Sequence, residues 1–546
     1  MIILLIILQL EPLEFETLIE ESSYLSQLED LINHPINPNR ARIEDWIRIP
    51  FLSPISAYRL VSHRGNYRSL DDLAIAGVDE ATRKMLSPFI RIGKPYKRRL
   101  LRSRVRYQVF NLDSLDDHRL YSRTITEVKG VKTYLTTERD PYEDSYLDYL
   151  GYGLVIERKR LKVAIGRYDI ESGEGVVLGP EPFDFLRDYD FQSPRRGIIP
   201  YTQVAENKGF NGLAISYLGI YTFVSRFFLD GSVSNDTVRG IDYTGIHDDS
   251  VSLARKDLIR EDVIGLGAQF SLSDNLIGIK GFRLQYDPPL RPDDSLPFYG
   301  KRLMPIGIDL RRYGDLGEVF GEIGIVNKKV GGIAGFVARL PSLSVTGAWS
   351  HYPQRFYSPH GGIVESGRNT VIANIELSKP RFRVGLRSYY QLKLSDQTSY
   401  YDLRPCLYSR FGRFQTEIEL RQRLGSIPSY DRGSSFKTSY RFRYGNLQIR
   451  LLERIYPDKR PSTYLGVAST IRYKIFRLTG GIGSYSCPEG VIYLYEPDLP
   501  GRFNTVVFSG SGVQKYLILG FYPYAGVNLY FKYSERVVGL QVDLTL

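Results

Sequence analysis

Two short runs of the sequence place histidine beside carboxylates, a combination from which a hydrolytic site can be built. They are Asp116-Asp117-His118 and His247-Asp248-Asp249. In such a site a base takes a proton from water while a carboxylate orients the imidazole ring. The chain has six histidines but 61 aspartates and glutamates, so neighbours of this kind also arise by chance. We therefore expect no enzymatic activity, no catalytic residue and no cofactor.

The two cysteines offer little further chemistry. Cys406 and Cys487 lie far apart in the sequence and form no metal-ligand pattern, so we expect no metal site. One disulfide bond and two free thiols are both compatible with the sequence.

A basic run follows the N-terminal part of the chain. Residues 94–106 hold seven basic side chains and no acidic one. The first half could bind anionic lipid headgroups or nucleic-acid phosphates, or could be a solvated linker. Its cations are Lys94, Lys97, Arg98 and Arg99. The second half alternates charged and uncharged residues, which predicts a first β-strand with one basic face. The arginines of that face are Arg102, Arg104 and Arg106.

The same two-residue period recurs up to the last residue, where Val538, Leu540 and Val542 alternate with polar or small neighbours. The apolar face of a soluble sheet points inward. The apolar face of an outer-membrane barrel meets lipid, and its charged face lines the lumen. Alternation alone is compatible with both. The arginines expected on the lumen face of later strands include Arg381, Arg383, Arg387, Arg421, Arg423, Arg441 and Arg443.

Three features favour the membrane barrel. The strands have about ten residues, the length of a tilted span of bilayer. The 41 tyrosines suit aromatic girdles at two interfaces, and the chain ends on an apolar alternating strand. One strand and turn per ~20 to 24 residues predicts roughly 18 to 22 strands over residues 98–546. A barrel of that width needs a pore or a plug, and an arginine-rich lumen should attract anions.

The N-terminus has an apolar run, Met1–Leu10, that is too short to span a bilayer. We interpret residues 1–18 as a signal peptide, although no basic residue precedes the run and no small-x-small site follows it. Because no apolar run in the chain reaches about 18 residues, a helical membrane protein is excluded.

Residues 31–92 carry start and stop signals for four short helices, which form two pairs in tandem. The helices are bounded by Pro38 and Pro50, by Ser53 and Gly65, by Ser69 and Gly77, and by Asp79 and Pro88. The stretch from Glu29 to Ile92 holds nine basic and eight acidic residues, a net charge of +1. A face that binds duplex DNA needs clustered cations, so this charge disfavours DNA binding.

This segment resembles the tandem helix-hairpin-helix domain of competence-type DNA receptors. The resemblance rests on residues 36–39 (INPN), 64–73 (RGNYRSLDDL) and 76–79 (AGVD). It implies two hairpins for DNA or a partner, Phe51-Leu52-Ser53 and Gly77-Val78-Asp79. DNA-binding members use Gly-hydrophobic-Gly hairpins, since glycine lets backbone N–H groups approach a phosphate. This chain keeps one glycine of four, so we favour a module that faces protein or is structural.

A longer part of the chain, roughly residues 30–270, is similar to a group of bacterial outer-membrane barrel proteins of unassigned function that carry this tandem module. The similarity rests on residues 166–169 (GRYD), 172–179 (SGEGVVLG), 196–201 (RGIIPY) and 243–247 (YTGIH). It implies a small all-α tandem helix-hairpin-helix module followed by a large antiparallel transmembrane β-barrel. The domains would be a signal peptide (1–18), a periplasmic module (19–93) and an outer-membrane barrel (94–546).

Three hypotheses about function remain. The first is an outer-membrane barrel whose periplasmic module acts as a plug or docks a periplasmic protein, and which forms a channel for anionic solutes. The second is an outer-membrane protein that binds or takes up DNA through the module. The third is a barrel hydrolase similar to omptins, which use Asp-Asp and Asp-His pairs at the rim. We favour the first, with outer-membrane lipid and a periplasmic protein as partners and DNA disfavoured.

Overall fold

The computed structural model describes residues 31–546 with gaps. The longest gaps are 93–99, 111–116, 180–196, 292–297 and 426–434, and further gaps of one to three residues fall mainly in turns and between residues 32 and 85. The predicted signal peptide and the basic residues Lys94, Lys97, Arg98 and Arg99 therefore lie outside the described residues.

The described residues from 101 onward form twenty-eight strands. The first fourteen are β1 (Leu101–Val109), β2 (His118–Val128), β3 (Val131–Arg139), β4 (Tyr149–Arg158), β5 (Leu161–Glu171), β6 (Gly197–Pro200), β7 (Phe210–Tyr217), β8 (Ile220–Leu229), β9 (Gly231–Ser234), β10 (Thr237–Ile241), β11 (Ile259–Leu272), β12 (Asn275–Leu290), β13 (Gly300–Leu303) and β14 (Ile306–Gly314). The others are β15 (Gly317–Val326), β16 (Lys329–Arg339), β17 (Leu343–Tyr352), β18 (Arg368–Lys379), β19 (Phe382–Lys393), β20 (Ser399–Phe411), β21 (Phe414–Gly425), β22 (Ser435–Tyr444), β23 (Leu447–Tyr456), β24 (Lys459–Tyr473), β25 (Phe476–Glu496), β26 (Asn504–Tyr524), β27 (Val527–Ser534) and β28 (Val538–Thr545).

The sheet closes on itself to form a barrel. Each wall strand pairs antiparallel with its neighbours, and β28 returns to pair with β1 from Arg102↔Thr545 to Val109↔Val538. The wall has 24 strands, because β6, β9, β10 and β13 are short additions at the end of neighbouring strands. The predicted antiparallel barrel is thus confirmed. The predicted count of 18 to 22 was wrong, since each strand and its turn take only about 19 residues.

The two rims of the barrel differ. The rim that holds the start of β1 and the end of β28 has eleven turns of two or three residues. The opposite rim carries the long connections, among them 172–209, 230–258 and 291–305. Outer-membrane barrels combine short periplasmic turns with longer extracellular loops. The N-terminal segment is attached at the short-turn rim, because β1 begins there.

The two faces of the wall have the polarity of a membrane barrel. On β14, Ile308 and Leu310 are 54% and 47% exposed, whereas Asp309 and Arg311, which alternate with them, are both 2% exposed. On β1, Val105 lies exposed between the buried Arg104 and Arg106. Water-soluble sheets bury the apolar face, so this reversed arrangement decides between the two readings of the alternation in favour of the barrel.

A small unit with its own core precedes the barrel. It contains helix α1 (Ile43–Trp46), helix α2 (Pro54–Ser62) and a 3₁₀ helix (Asp71–Ala76). Ile36 and Ile90 form a β-bridge that brings the ends of the unit together. The largest side chains of its core include Trp46, Ile49, Leu60, Tyr67, Leu73 and Phe89.

Local polar contacts hold this unit in shape. The Asn39 Oδ1 accepts hydrogen bonds from the backbone N–H groups of Gly65 and Tyr67, both at 3.0 Å. Gly77 ends the 3₁₀ helix in the left-handed conformation, with φ of 75°. A further short helix, α3 (Ser250–Leu253), lies in a barrel loop. The tandem helix-hairpin-helix arrangement of the N-terminal unit stays a prediction. No helix in the described part of the chain is long and apolar enough to cross a bilayer.

The closing seam contains a buried ion pair that should control the stability of the barrel. Arg104 Nε lies 2.8 Å from Asp543 Oδ1 across the β1–β28 junction, and both side chains are about nine-tenths buried. We expect Arg104→Ala to lower stability by about 3 kcal/mol, because it leaves a buried carboxylate without its cation. The temperature at which the compact form converts to the unfolded form on a gel measures this effect. The matched change at exposed Arg312, Arg312→Ala, should leave that temperature unchanged; an equal loss in both variants would contradict the role of the seam.

Candidate functional site: the barrel lumen

The predicted lumen arginines lie at three kinds of position. Arg104 and Arg106 are buried on β1, and Arg102 is half-buried at its start. On β19, Arg387 is buried and Arg383 is half-buried, 3.3 Å from Glu376 on β18. Arg381 lies in the turn before β19 and is exposed, so it is not part of the strand wall as the alternation suggested.

Basic residues outnumber acidic ones on the lumen face of β19 to β23. Among the described side chains, the face carries eleven cations and three carboxylates, identified by the alternation of the strands. The cations are Arg383, Arg387, Lys393, Arg404, Arg421, Arg423, Lys437, Arg441, Arg443, Arg450 and Arg454, and the carboxylates are Asp402, Glu417 and Glu419. This surface, which we call the cationic wall, should concentrate anions by electrostatic focusing.

Another part of the lumen is filled by the chain itself. Residues 172–179, which we call the inner loop, leave β5 and pack against the inside of β12, β14 and β15. Val176 and Val177 are fully buried there. A side chain at Gly307 or Gly324 would lie 2.9 or 2.7 Å from Val177 Cγ2, so these strand glycines leave the space that the loop occupies.

Buried charges fix the inner loop to the wall. Arg311 Nη2 lies 2.6 Å from Glu174 Oε2. The Val177 N–H donates to Glu322 Oε1 at 3.0 Å. The same glutamate is 2.9 Å from Lys280 Nζ, and that amine is 2.7 Å from Asp309, all with side chains shielded from solvent. The loop is therefore bound to charged residues of β14 and β15, and Lys280 of β12 pairs with carboxylates of both strands.

A second loop covers the first. The backbone N–H of Gly362 donates to Gly175 O at 2.8 Å, and the Ser358 hydroxyl donates to Val177 O at 2.6 Å. His360 O accepts from the N–H of Gly179 at 3.0 Å. The β17–β18 connection therefore locks the inner loop in place from the long-loop side.

The N-terminal unit also approaches this part of the wall. Helix α2 lies against β14 and β15. The outward residues Ile308, Leu310 and Val319 of these strands remain exposed, so the helix contacts the strands from the lumen side or their rim. Of the predicted hairpin residues, Leu52 and Val78 are buried in the core of the unit, and Gly77 is exposed. Phe51, Ser53 and Asp79 lie outside the described residues.

His247 contacts carboxylates from distant parts of the chain. His247 Nδ1 lies 2.8 Å from Asp148 Oδ2, and Nε2 lies 3.2 Å from Asp230 Oδ2. Asp249 instead caps helix α3 by accepting hydrogen bonds from backbone N–H groups. His118 contacts Arg139. Asp116 and Asp248 lie outside the described residues.

His247 stands at the centre of a carboxylate cluster on the long loops. Glu143 Oε1 and Glu206 Oε2 lie 3.6 and 3.9 Å from its Nδ1. Two trios, each formed by His247 with two carboxylates, bring their ligating atoms within 4.8 Å of one another, which is compact enough for a cation. Lys256 already pairs with Asp148, so the cluster is partly neutralised from within and we assign no metal to it.

Burial shifts the proton affinity of this cluster. It raises the pKa of Glu143 to about 7 and that of Glu206 to about 9. Burial would also raise the pKa of Asp148, but hydrogen bonds from Lys256 and His247 hold it below its usual value. At neutral pH the Glu206 carboxyl therefore keeps its proton, which limits the negative charge confined between the loops.

Both cysteines are free thiols, Cys406 half-buried on β20 and Cys487 buried on β25. Of the two alternatives left open by the sequence, the structure has the one without a disulfide bond. Nothing about these thiols connects them with the lumen loops.

No protein-family model and no curated protein matches this chain. The P pilus usher (PapC) translocation pore aligns with 82% of this chain and 98% of its own, at 9% identity and a TM-score of 0.41. The FrpB iron transporter from Neisseria meningitidis aligns over 82% of each chain, at 8% identity and a TM-score of 0.38. The siderophore receptor PirA from Acinetobacter baumannii aligns with 83% of this chain and 82% of its own, at 8% identity and a TM-score of 0.37. These similarities concern the barrel fold alone.

Sequence patterns could locate the wall but not the loops that fill it. Glu174 and Arg311 are 137 residues apart, and His247 and Asp148 are 99 apart. The signal that could have revealed the inner loop is the pair of glycines at lumen positions, Gly307 and Gly324, because a wall strand leaves such gaps only where something packs.

The raised pKa values predict that the loop cluster weakens at alkaline pH. A carboxyl whose folded-state pKa exceeds its usual value of 4.5 contributes stability that is lost as pH rises through the folded-state pKa, here about 7 for Glu143 and about 9 for Glu206. The melting temperature measured by calorimetry should therefore fall between about pH 5 and pH 9. Glu206→Gln stays neutral, so its melting temperature should fall less over that range. The exposed control Glu157→Gln should follow the wild type, and identical curves for all three would refute the assignment.

Proposed function

We propose that this chain is an outer-membrane channel for anionic solutes whose lumen is narrowed by the inner loop and, from the periplasmic side, by the N-terminal unit. The observation that carries the proposal is the division of the lumen: a filled part at β12 to β15 and a cationic wall at β19 to β23. The outward apolar face and the difference between the rims support insertion in an outer membrane with the N-terminal unit in the periplasm.

The N-terminal unit is proposed as a plug or docking element for a periplasmic protein, and the helix-hairpin-helix fold is proposed for it on its sequence motifs. Leu52 and Val78 are buried in its core, so the apolar centres of both proposed hairpins are not presented to a ligand. With the near-neutral charge of this segment, that favours a plug over DNA binding. We propose no enzymatic role, because the carboxylates at His247 are tied up with Lys256 and backbone groups.

Conductance in planar bilayers tests the channel. We expect the purified chain to conduct with a preference for chloride over potassium, because the lumen wall carries excess positive charge. A chain that begins at residue 96 should conduct several-fold more, since the element proposed to narrow the lumen is gone. A compact band that shifts on heating shows that the shorter chain is folded. Cation selectivity, or a folded barrel that is silent in both forms, would contradict the proposal.

The inner loop gives a separate test of the filling. Glu174→Ala removes one of the two carboxylates that pair with Arg311, and it weakens the seating of the loop by about 3 kcal/mol. We expect larger or more frequently fluctuating single-channel currents than in the wild type. Glu489→Ala removes an exposed carboxylate from β25 and should leave the currents unchanged. Equal currents in all three proteins would mean that the inner loop does not limit passage.

A further inference from the structure

The strand register of the cationic wall places like charges directly opposite one another. Arg387 faces Arg404 across β19 and β20. Lys437 on β22 stands between two cations, Arg421 on β21 and Arg454 on β23. Arg441 and Arg450 also face each other. Like charges in directly opposed positions destabilise a sheet, so four such pairs on one face are a cost that the fold carries.

The carboxylates of the wall offset only part of that cost. Asp402 alone is shared by three arginines: Arg404 at 2.8 Å, Arg423 at 3.5 Å and Arg421 in closer contact. Glu417 pairs with Arg441 at 2.9 Å. Within the part of the chain that the structure describes, Lys437 and Arg450 have no hydrogen bond or ion pair. These two cations stand beside further cations, and the carboxylates that act on them, Glu417 and Glu419, form no direct ion pair with them, as expected where an external anion completes the site.

The spacing of the wall suits an anion with several charged groups. Neighbouring strands lie about 4.8 Å apart, and successive residues on one face lie about 7 Å apart along a strand. One phosphate-sized group can therefore contact both members of an opposed pair, and a linked second group reaches the next pair. Linked groups bind with a high effective concentration once the first is in place, and guanidinium groups bind phosphate oxygens in pairs.

We propose that the strip formed by Arg421, Lys437, Arg441, Arg450 and Arg454 is a binding site for multivalent oligophosphate-type anions, which it selects over monovalent ions. This inference rests on the proposed function, because it names the class of solute that the anion passage would favour. Lys437 and Arg450 are the residues that determine this specificity. Their charges are then stabilised by the ligand instead of by the protein.

The test uses the full chain in detergent and in planar bilayers, with inorganic tripolyphosphate as the probe and orthophosphate as its comparison. Calorimetric titration should give binding of tripolyphosphate at least tenfold tighter than that of orthophosphate. Lys437→Gln combined with Arg450→Gln should weaken tripolyphosphate binding about tenfold. Lys329→Gln, an exposed change at the start of β16 outside the cationic wall, should have no effect.

A second measurement guards against misfolding. Because the double variant removes like-charge repulsion, it should keep a heat-modifiable band at a temperature equal to or above that of the wild type. Tripolyphosphate should raise that temperature in the wild type and not in the double variant. Equal affinity for the two phosphates, or equal binding by the wild type and the folded double variant, would overturn the proposal.

The outcomes separate this proposal from the channel function. Anion-selective current that tripolyphosphate does not block at lower concentration than orthophosphate would leave the channel standing and refute the multivalent site. Specific tripolyphosphate binding by a barrel that carries no current would refute the channel and leave the site standing.

Discussion

Closure of the sheet between β1 and β28 is the interaction on which the rest of the structure depends. A strand edge that faces hydrocarbon has no water to satisfy its N–H and C=O groups, so a wall with an apolar outer face is stable only when every strand has two neighbours. The register from Arg102↔Thr545 to Val109↔Val538 provides the last of these pairings. Because the outer face is apolar, most charged side chains of the wall strands must turn inward, and their electrostatic interactions are concentrated in the lumen.

The wall was predictable because its signal is local. Arg104 and Val105 are adjacent, and the period of two alone assigns them to opposite faces. Arg381 shows the limit of this reasoning. The alternating pattern includes it, but it lies in the turn between β18 and β19 and is not part of a strand. The count failed for a related reason: turn lengths are not encoded in the alternation, and most of the short-rim turns have two residues.

The contents of the lumen were not predictable, because they depend on contacts between residues far apart in the chain. Nothing around Glu174 indicates that its carboxylate will meet Arg311 on the far side of several strands. The partners of His247 were not predictable for the same reason, since its carboxylates stand at positions 148 and 230. Helix capping competes with the histidine for a carboxylate that is close in sequence. Asp249 accepts hydrogen bonds from backbone N–H groups of α3 instead.

The two parts of the lumen stabilise their inward-facing charges in opposite ways. Where the inner loop excludes water, Lys280 is matched by two carboxylates, Asp309 and Glu322, because an uncompensated buried charge would cost several kcal/mol. On the cationic wall Arg421 and Arg441 keep about a fifth of their side-chain surface accessible, and there cations exceed carboxylates. An excess of like charge is tolerable only where water or mobile anions screen it. The unbalanced wall therefore marks a part of the lumen that stays wet, in contrast to the part at β12 to β15 that the inner loop fills, and the proposed anion passage is assigned to it.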